Sequence, residues 1–372
     1  MQKNWICLGL MSGTSGDGVD ASIINTNGIN HFKLIKDEYY EYDFKIYKDI
    51  HNLKEKIHKP EHLKTFSKEI DRLEREITIF QAKIIKKLNL DNNSIIGFHG
   101  QTIYHNPKEK ISRQLGNAKL LNQLTKKNVV FNFRENDILN GGQGAPLTPI
   151  FHQLLASKHL IKLPVCFLNI GGISNITIVF DKNDPTKLFS RDIGPGNCLI
   201  DSWVRANSNK KYDLNGLLAL SGTKNEIIFE QAQELYINRN NKKKMSFDTN
   251  DFDISFVRGL NLADGVTTLT DFTASIIGEE LSLSLKKSKK KITEILLCGG
   301  GRKNKALIKK IKENLPQNIN LKLIDKYKID GDFIESQAFA FLAVRSILQL
   351  PISFPNTTGC KKECVGGKII KN

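Results

Sequence analysis

Between residues 9 and 20 the chain reads Gly9-Leu-Met-Ser-Gly-Thr-Ser-Gly-Asp-Gly-Val-Asp20. Gly13, Thr14, Ser15, Gly16, Asp17, Gly18, Val19 and Asp20 thus put glycines, hydroxyls and acids between two strand-like segments. Glycines let backbone N–H groups come close to phosphate oxygens, and serine and threonine add donors. An acid such as Asp17 can hold a divalent cation, directly or through water. The plainer alternative is a hairpin turn, but a hairpin needs only about two to five loop residues.

Two more loops follow the same plan. Leu168–Thr177 carries Gly171-Gly172 between two strands, and Leu296–Asn304 carries Gly299-Gly300-Gly301 where a strand feeds a helix. Backbone donors and the helix dipole at the latter suit an anionic or nucleotide ligand. Asp192, in Arg191-Asp-Ile-Gly-Pro-Gly-Asn197, is a carboxylate among glycines and a candidate general base. A helix cap is the alternative, although Asp192 stands well ahead of the helix start. Gly97-Phe-His-Gly-Gln-Thr102 reads as a turn bearing His99 and Gln101, and Arg134 precedes the glycine-rich Gly141–Leu147. The P-loop and dinucleotide fingerprints are absent, and Asp17 breaks the nucleophile-elbow pattern.

The elements needed to position these residues are legible in outline. Trp5–Leu10, Val19–Ile24, His31–Ile35 and Glu38–Phe44 read as a strand meander. Ile70, Leu73, Ile77, Phe80, Ile84 and Leu88 recur at helical spacing. Strands are expected over Ser94–Phe98, Val165–Ile170, Asn175–Phe180 and Ile292–Cys298. Helices are expected over Pro195–Asn207, Thr223–Asn238, Ala263–Lys286, Lys303–Asn314 and Asp332–Leu348. Both halves run strand, glycine turn, strand, then helices, which fits a duplicated α/β unit. The expected domains are 1–135, with the tail 350–372 packing back on it, and 136–349.

The 372 residues suit two domains. Lys+Arg minus Asp+Glu is 55 − 39 = +16. The excess is spread along the chain without zinc-finger or aromatic RNA-binding signatures, so it reads as a lysine-rich surface rather than a nucleic-acid footprint. No apolar run approaches the ~18 residues of a membrane helix, and the N-terminus does not read as a signal peptide. A cytoplasmic protein is the expectation. The cysteines read as buried structural thiols; Cys360-Lys-Lys-Glu-Cys364 lacks the C-x-x-C spacing of redox and zinc sites.

GLMSGTSGDGVD, GFHGQT, FRENDILNGGQGAPL, LNIGGISNIT, DIGPGN, LLCGGGRKN and ESQAFAFLA occur in this order. Together they resemble the 1,6-anhydro-N-acetylmuramic acid kinase family from about Gly9 to Gly359. The resemblance implies a two-domain actin-like ATPase (ribonuclease H-like) α/β fold with an interdomain cleft, ATP and Mg²⁺ as cofactors, and a homodimer. It implies ATP-driven opening of an anhydro-muramic sugar in peptidoglycan recycling, with Asp192 as the catalytic base. The Gly13–Asp20 loop would hold the ATP phosphates with Asp17 near the metal. Gly171 and Gly172 would add to that cradle, and Gly299, Gly300 and Gly301 would face the adenosine. His99, Gln101, Arg134 and Glu335 would lie toward the sugar.

Three departures from the family pattern stand out. Asn132 replaces an aspartate, Ile193 a threonine, and Lys243–Thr249 lacks an expected Pro-Pro-Lys-Ser segment followed by arginine, Lys244 being the nearest substitute. The rival readings are an ordinary sugar kinase, a non-catalytic ATP-binding module, and a nucleic-acid binder resting on charge alone.

Overall fold

Three antiparallel strands open the first sheet: β1 (Trp5–Ser12), β2 (Gly18–Thr26) and β3 (Phe32–Glu41). β4 (Ile95–Asn106) lies parallel to β1, β5 (Ile111–Leu115) pairs with β4, and β6 (Asn128–Phe131) is parallel to β4. The second sheet holds β7 (Val165–Ile170), β8 (Ile173–Val179), β9 (Leu188–Pro195), β10 (Glu294–Cys298) and β11 (Asn320–Leu323). β12 (Lys368–Ile370) closes the first sheet against β6. The orders are β12-β6-β4-β1-β2-β3 and β11-β10-β7-β8-β9. Three neighbouring strands in chain order, flanked by two parallel strands on the side of the first, therefore occur twice, the duplicated α/β unit expected from the sequence. This computed structural model describes residues 3–238, 246–288 and 291–372, with backbone alone for residues 238, 250 and 287.

The chain divides into two compact units. One comprises Met1–Ile161, Asp181–Phe189 and Asp332–Asn372, and the other Lys162–Phe180 and Ser190–Gly331. The division falls past residue 135, because the helix Pro149–Lys158 goes with the first unit, as does the helix Ile334–Ile347. In the first unit the helix Ser67–Lys87 buries Ile70, Leu73, Ile77 and Ile84 in a core with Leu8, Leu10, Val19 and Phe98. In the second, the helix Leu262–Lys287 packs Leu269, Phe272 and Ile276 with Leu199 and Trp203 of the helix Cys198–Asn207. Among the described residues no helix is long and apolar enough to cross a membrane.

Two local expectations are corrected. His31–Ile35 and Glu38–Phe44 are one strand ending at Glu41, and Phe44 opens a helix, Phe44–Lys56. The Asp43 carboxylate caps that helix by accepting from the Ile46 N–H at 2.8 Å, and Ile46, Ile50 and Leu53 bury one face of it. Gly97–Thr102 is the interior of β4, not a turn. Leu10 pairs with Phe98 but Met11 pairs with Gly100, so His99 is the extra residue of a bulge. Gly100 sits at φ 77°, where a Cβ would meet the Leu115 carbonyl oxygen at 2.4 Å. A bulge of this kind re-aims the side chains beside it.

Gly9 and Gly97 are register partners on neighbouring strands. A Cβ at Gly9 would sit 1.8 Å from the Ser336 carbonyl oxygen, and one at Gly97 2.2 Å from that of Phe339. The helix Ile334–Ile347 thus lies with its backbone against the sheet. Gly97→Ala should lower stability by about 2 kcal/mol or more, since backbone must move. Gly300→Ala, where a Cβ meets nothing within 4 Å, should change it by no more than about 0.5 kcal/mol. Urea unfolding followed by the fluorescence of Trp5 and Trp203 distinguishes the two; equal effects would refute the close-approach argument.

Candidate active site

In the first unit the Gly13–Asp17 loop is held by its carbonyl groups. Gln101 Nε2 donates to the Gly13 oxygen at 2.9 Å, Lys54 Nζ to that of Thr14 at 3.0 Å, and a His51 ring nitrogen lies 2.9 Å from that of Ser15. In a planar trans peptide the N–H points opposite to the C=O. Tying the Gly13 and Thr14 carbonyls to side chains therefore turns the Thr14 and Ser15 N–H groups the other way, the arrangement an anion requires, while the Gly16 N–H closes the turn by donating to the Gly13 oxygen at 3.1 Å. Gln101 is fully buried and also accepts from Ser12 Oγ at 2.6 Å; Ser12 in turn receives Tyr42 Oη at 3.2 Å. Gly18 and Val19 open β2 behind the loop. The Ser15 hydroxyl donates to Asp17, which is half-buried.

Acidic groups gather beside this loop. The Asp20 carboxyl is pushed up to about 8, first by burial and then by the charges of Glu335, Asp17, Asp332 and Asp37. Glu335 stands in the first turn of the helix Ile334–Ile347. Asp37 is fastened by Ser22 Oγ and, at 2.8 Å, by Gln337 Nε2. Negative charge so concentrated, presented on oxygen donors, suits a hard divalent cation such as Mg²⁺.

His99 and Arg134 form a second group in the same unit. His99 Nδ1 lies 2.8 Å from the Gly100 carbonyl oxygen, so it carries the proton, and Nε2 accepts from Arg134 Nη2 at 2.8 Å. Burial, and then the Arg134 charge, hold the imidazole well below its usual range, which keeps it neutral. Arg134 Nη1 donates to the Gly144 oxygen at 2.7 Å. Gly144 is fixed in turn by its N–H donating to Asp137 Oδ2 at 2.6 Å. The guanidinium is thereby set by two partners before any ligand arrives.

The second unit repeats the loop device. The Gly171 oxygen accepts from the Asn197 N–H at 2.8 Å, and the Gly172 oxygen from those of Gly196 and Cys198 at 2.8 and 3.2 Å. These carbonyls engage the N-terminus of the helix Cys198–Asn207 and turn the following N–H groups away from it. Gly299, at φ 77°, and Gly301 press on the end of β7, where added Cβ atoms would meet Asn169 and Ile170 at 2.4 and 2.3 Å. Gly300 faces open space. Asp192 lies within β9, not in a loop, and is buried; its Oδ2 accepts from the Phe247 N–H at 2.8 Å. The N-cap of the following helix is Asn197, so Asp192 does not cap it. Arg191 donates through Nε to the Asp192 carbonyl oxygen at 3.1 Å and pairs with Glu280 at 3.3 Å. Lys243 and Lys244 lie outside the described residues.

His51 and Lys54 are not among the expected site residues, because a strand is expected to Phe44 and no helix between Phe44 and the stripe that begins at Ile70. The signal was present: Asp43 followed by Ile46, Ile50 and Leu53 is a cap and a helical stripe.

The family model for anhydro-N-acetylmuramic acid kinase matches residues 5–372. An anhydro-N-acetylmuramic acid kinase of Pelagibacter ubique (strain HTCC1062) is 54% identical over 376 residues, covering 100% of both chains. One of Zymomonas mobilis subsp. mobilis is 36% identical over 383 residues, covering 98% of this chain and 99% of the relative. Among solved structures, component A of the (R)-2-hydroxyglutaryl-CoA dehydratase of Acidaminococcus fermentans is similar at 11% identity and a TM-score of 0.43, covering 92% of this chain and 99% of that one.

The neutral state of His99 has a measurable consequence. An unfolded imidazole titrates near 6.5, whereas the folded one resists protonation to far lower pH. Below about pH 6.5 the unfolded state takes up a proton that the folded state refuses. Stability is therefore full above that pH and falls on acidification, by up to about 1.4 kcal/mol per pH unit for this one group. His99→Gln keeps an acceptor for Arg134 but cannot take the proton. Urea midpoints at pH 7.5 and 5.5 should differ less in this variant than in the wild type; an identical difference would contradict the assignment.

Proposed function

The chain belongs to the anhydro-N-acetylmuramic acid kinase family, and we propose that it opens the 1,6 bridge of 1,6-anhydro-N-acetylmuramic acid with water while ATP phosphorylates O6. The products are N-acetylmuramate 6-phosphate and ADP, a step of cell-wall recycling in the cytoplasm. The observation that carries the reading is Asp192, a buried carboxylate oriented by a backbone amide.

Hydrolysis of a glycosidic bond with inversion needs a base for the water and an acid for the leaving oxygen. Here the leaving O6 requires no acid, because it attacks the γ-phosphorus. One base is then enough. Asp192 takes the proton of the water attacking the anomeric carbon, the C1–O6 bond breaks, O6 bonds to phosphorus and the ADP oxygen leaves. Asp192 afterwards releases its proton to solvent.

The outward N–H groups of the Gly13–Asp17 loop bind the ATP phosphates, and those after Gly171 and Gly172 add to the cradle. Gly299–Gly301 lies against the adenosine, where side-chain-free backbone permits a flat contact. Mg²⁺, which neutralises phosphate charge when bound, would be held by Asp17 amid the acidic groups around Asp20. Gln101 keeps the phosphate loop in shape and borders the sugar with His99 and Glu335. Arg134 binds the lactyl carboxylate through paired hydrogen bonds. A homodimer belongs to the same reading; Leu214, Leu217, Leu220 and Ile227 are each exposed apolar side chains in the second unit.

Incubation with the anhydro sugar, Mg·ATP and heavy-oxygen water, followed by mass spectrometry, tests the reaction. A product heavier by one phosphoryl group and one water, labelled at the anomeric oxygen, is expected. A phosphoryl gain without water would sink coupled ring opening and indicate an ordinary sugar kinase. Asp192→Asn should lower kcat by about 10²- to 10⁴-fold with little change in KM.

Arg134→Ala should raise the sugar KM by about 10- to 100-fold, the loss of a charged hydrogen-bonding partner. Unchanged KM would remove Arg134 from the sugar site.

A further inference from the structure

Cys360 and Cys364 are spaced C-x₃-C, a pattern that on its own argues against a metal site. The fold adds a third group from far away in the chain. One carboxylate oxygen of Asp137 and the two sulfurs lie within 4.8 Å of one another, and all three side chains are buried. We propose that Asp137, Cys360 and Cys364 bind one soft divalent ion of the zinc class, a site separate from the phosphate and sugar groups described above.

The donor set selects the metal. Two thiolates favour zinc-class ions over magnesium or calcium, and a carboxylate oxygen is a regular third zinc ligand. Three protein ligands leave a fourth position for water. The carboxylate is already aimed: Oδ1 accepts from Ser353 Oγ at 2.5 Å and Thr358 Oγ1 at 2.6 Å, while Oδ2 accepts from the Gly144 N–H at 2.6 Å. Such outer partners orient ligands at metal sites generally.

The thiol turn is braced as well. The Lys361 N–H donates to the Asn140 oxygen at 3.1 Å, the Cys364 N–H to that of Ser353 at 3.0 Å, and the Ile352 N–H to that of Cys364 at 2.8 Å. Lys361 and Lys362 supply positive charge beside a centre of two thiolates, one carboxylate and a dication, whose formal charge is −1. On binding, each metal–sulfur bond forms as its thiol releases a proton to solvent, two protons per ion, with no change of oxidation state. The ion would join Asp137 to the Cys360–Cys364 turn and secure the Gly144 carbonyl that holds Arg134.

The test is a Co²⁺ titration of the reduced full-length protein under anaerobic conditions, read by sulfur-to-cobalt charge-transfer absorption in the near ultraviolet. About one Co²⁺ per chain is expected, displaced by Zn²⁺. Cys360→Ser and Cys364→Ser should each weaken binding by at least the roughly 100-fold that outer-partner changes already cost at metal sites. Circular dichroism checks that each variant is folded; because Cys360 and Cys364 sit in one turn, a Cys360→Ala variant serves if the serine variant is not. Absence of the band in reduced wild-type protein, or its survival in folded cysteine variants, would overturn the site.

Discussion

The first unit depends on one close approach: a helix backbone laid on two adjacent glycines. Gly9 and Gly97 face each other across β1 and β4, and neither leaves room for a Cβ beneath the helix Ile334–Ile347. Contact at that range fixes the rotation and height of the helix, so its side chains fall at set places on the sheet. Ser336 reaches Ser22 at 2.6 Å, Gln337 reaches Asp37, and the Phe339 ring centroid lies 4.5 Å from that of His99. Glu335, one residue earlier, enters the field of Asp20. A larger residue at either glycine would lift the helix and loosen all four relations together.

Electrostatics accounts for the rest of the arrangement. A kinase must offer hydrogen-bond donors to phosphate without leaving lone pairs in the same space. Both glycine loops do so by one device, in which carbonyls are tied to the protein and N–H groups are turned outward. In the first loop side chains do the tying; in the second it is the N-terminus of a helix. Neutral His99 belongs to the same scheme, since a protonated imidazole could not accept from Arg134 and would repel it. The crowded carboxylates near Asp20 run the opposite way, their mutual repulsion holding the Asp20 carboxyl up at about 8 together with burial.

Much of this was readable before the fold. Strand, glycine turn and strand marked both loops, and Asp192 stood out as a carboxylate among glycines. What stayed hidden was set by pairing across long separations. His99 looked like a turn residue because glycines on both sides mimic one; only alignment with Met11 reveals a bulge within a strand. His51 and Lys54 grip the loop from a helix whose first residue, Phe44, reads as the end of a strand. Asp137 and the two cysteines are more than 200 residues apart, so C-x₃-C spacing could not reveal a third donor.

The departures from the family pattern are accommodated each in its own way. Asn132 takes a left-handed conformation at φ 56°, which asparagine and aspartate both tolerate, and its amide donates to Glu135 at 2.7 Å. Ile193 is wholly buried, so its side chain serves the core rather than the neighbouring Asp192. The altered segment near residue 247 still reaches Asp192, because the donor is the Phe247 main-chain N–H. Any residue but proline could supply that donor. The side chains of this segment can therefore drift while the orientation of Asp192 is kept, provided the backbone follows the same path and Phe247 remains buried as its anchor.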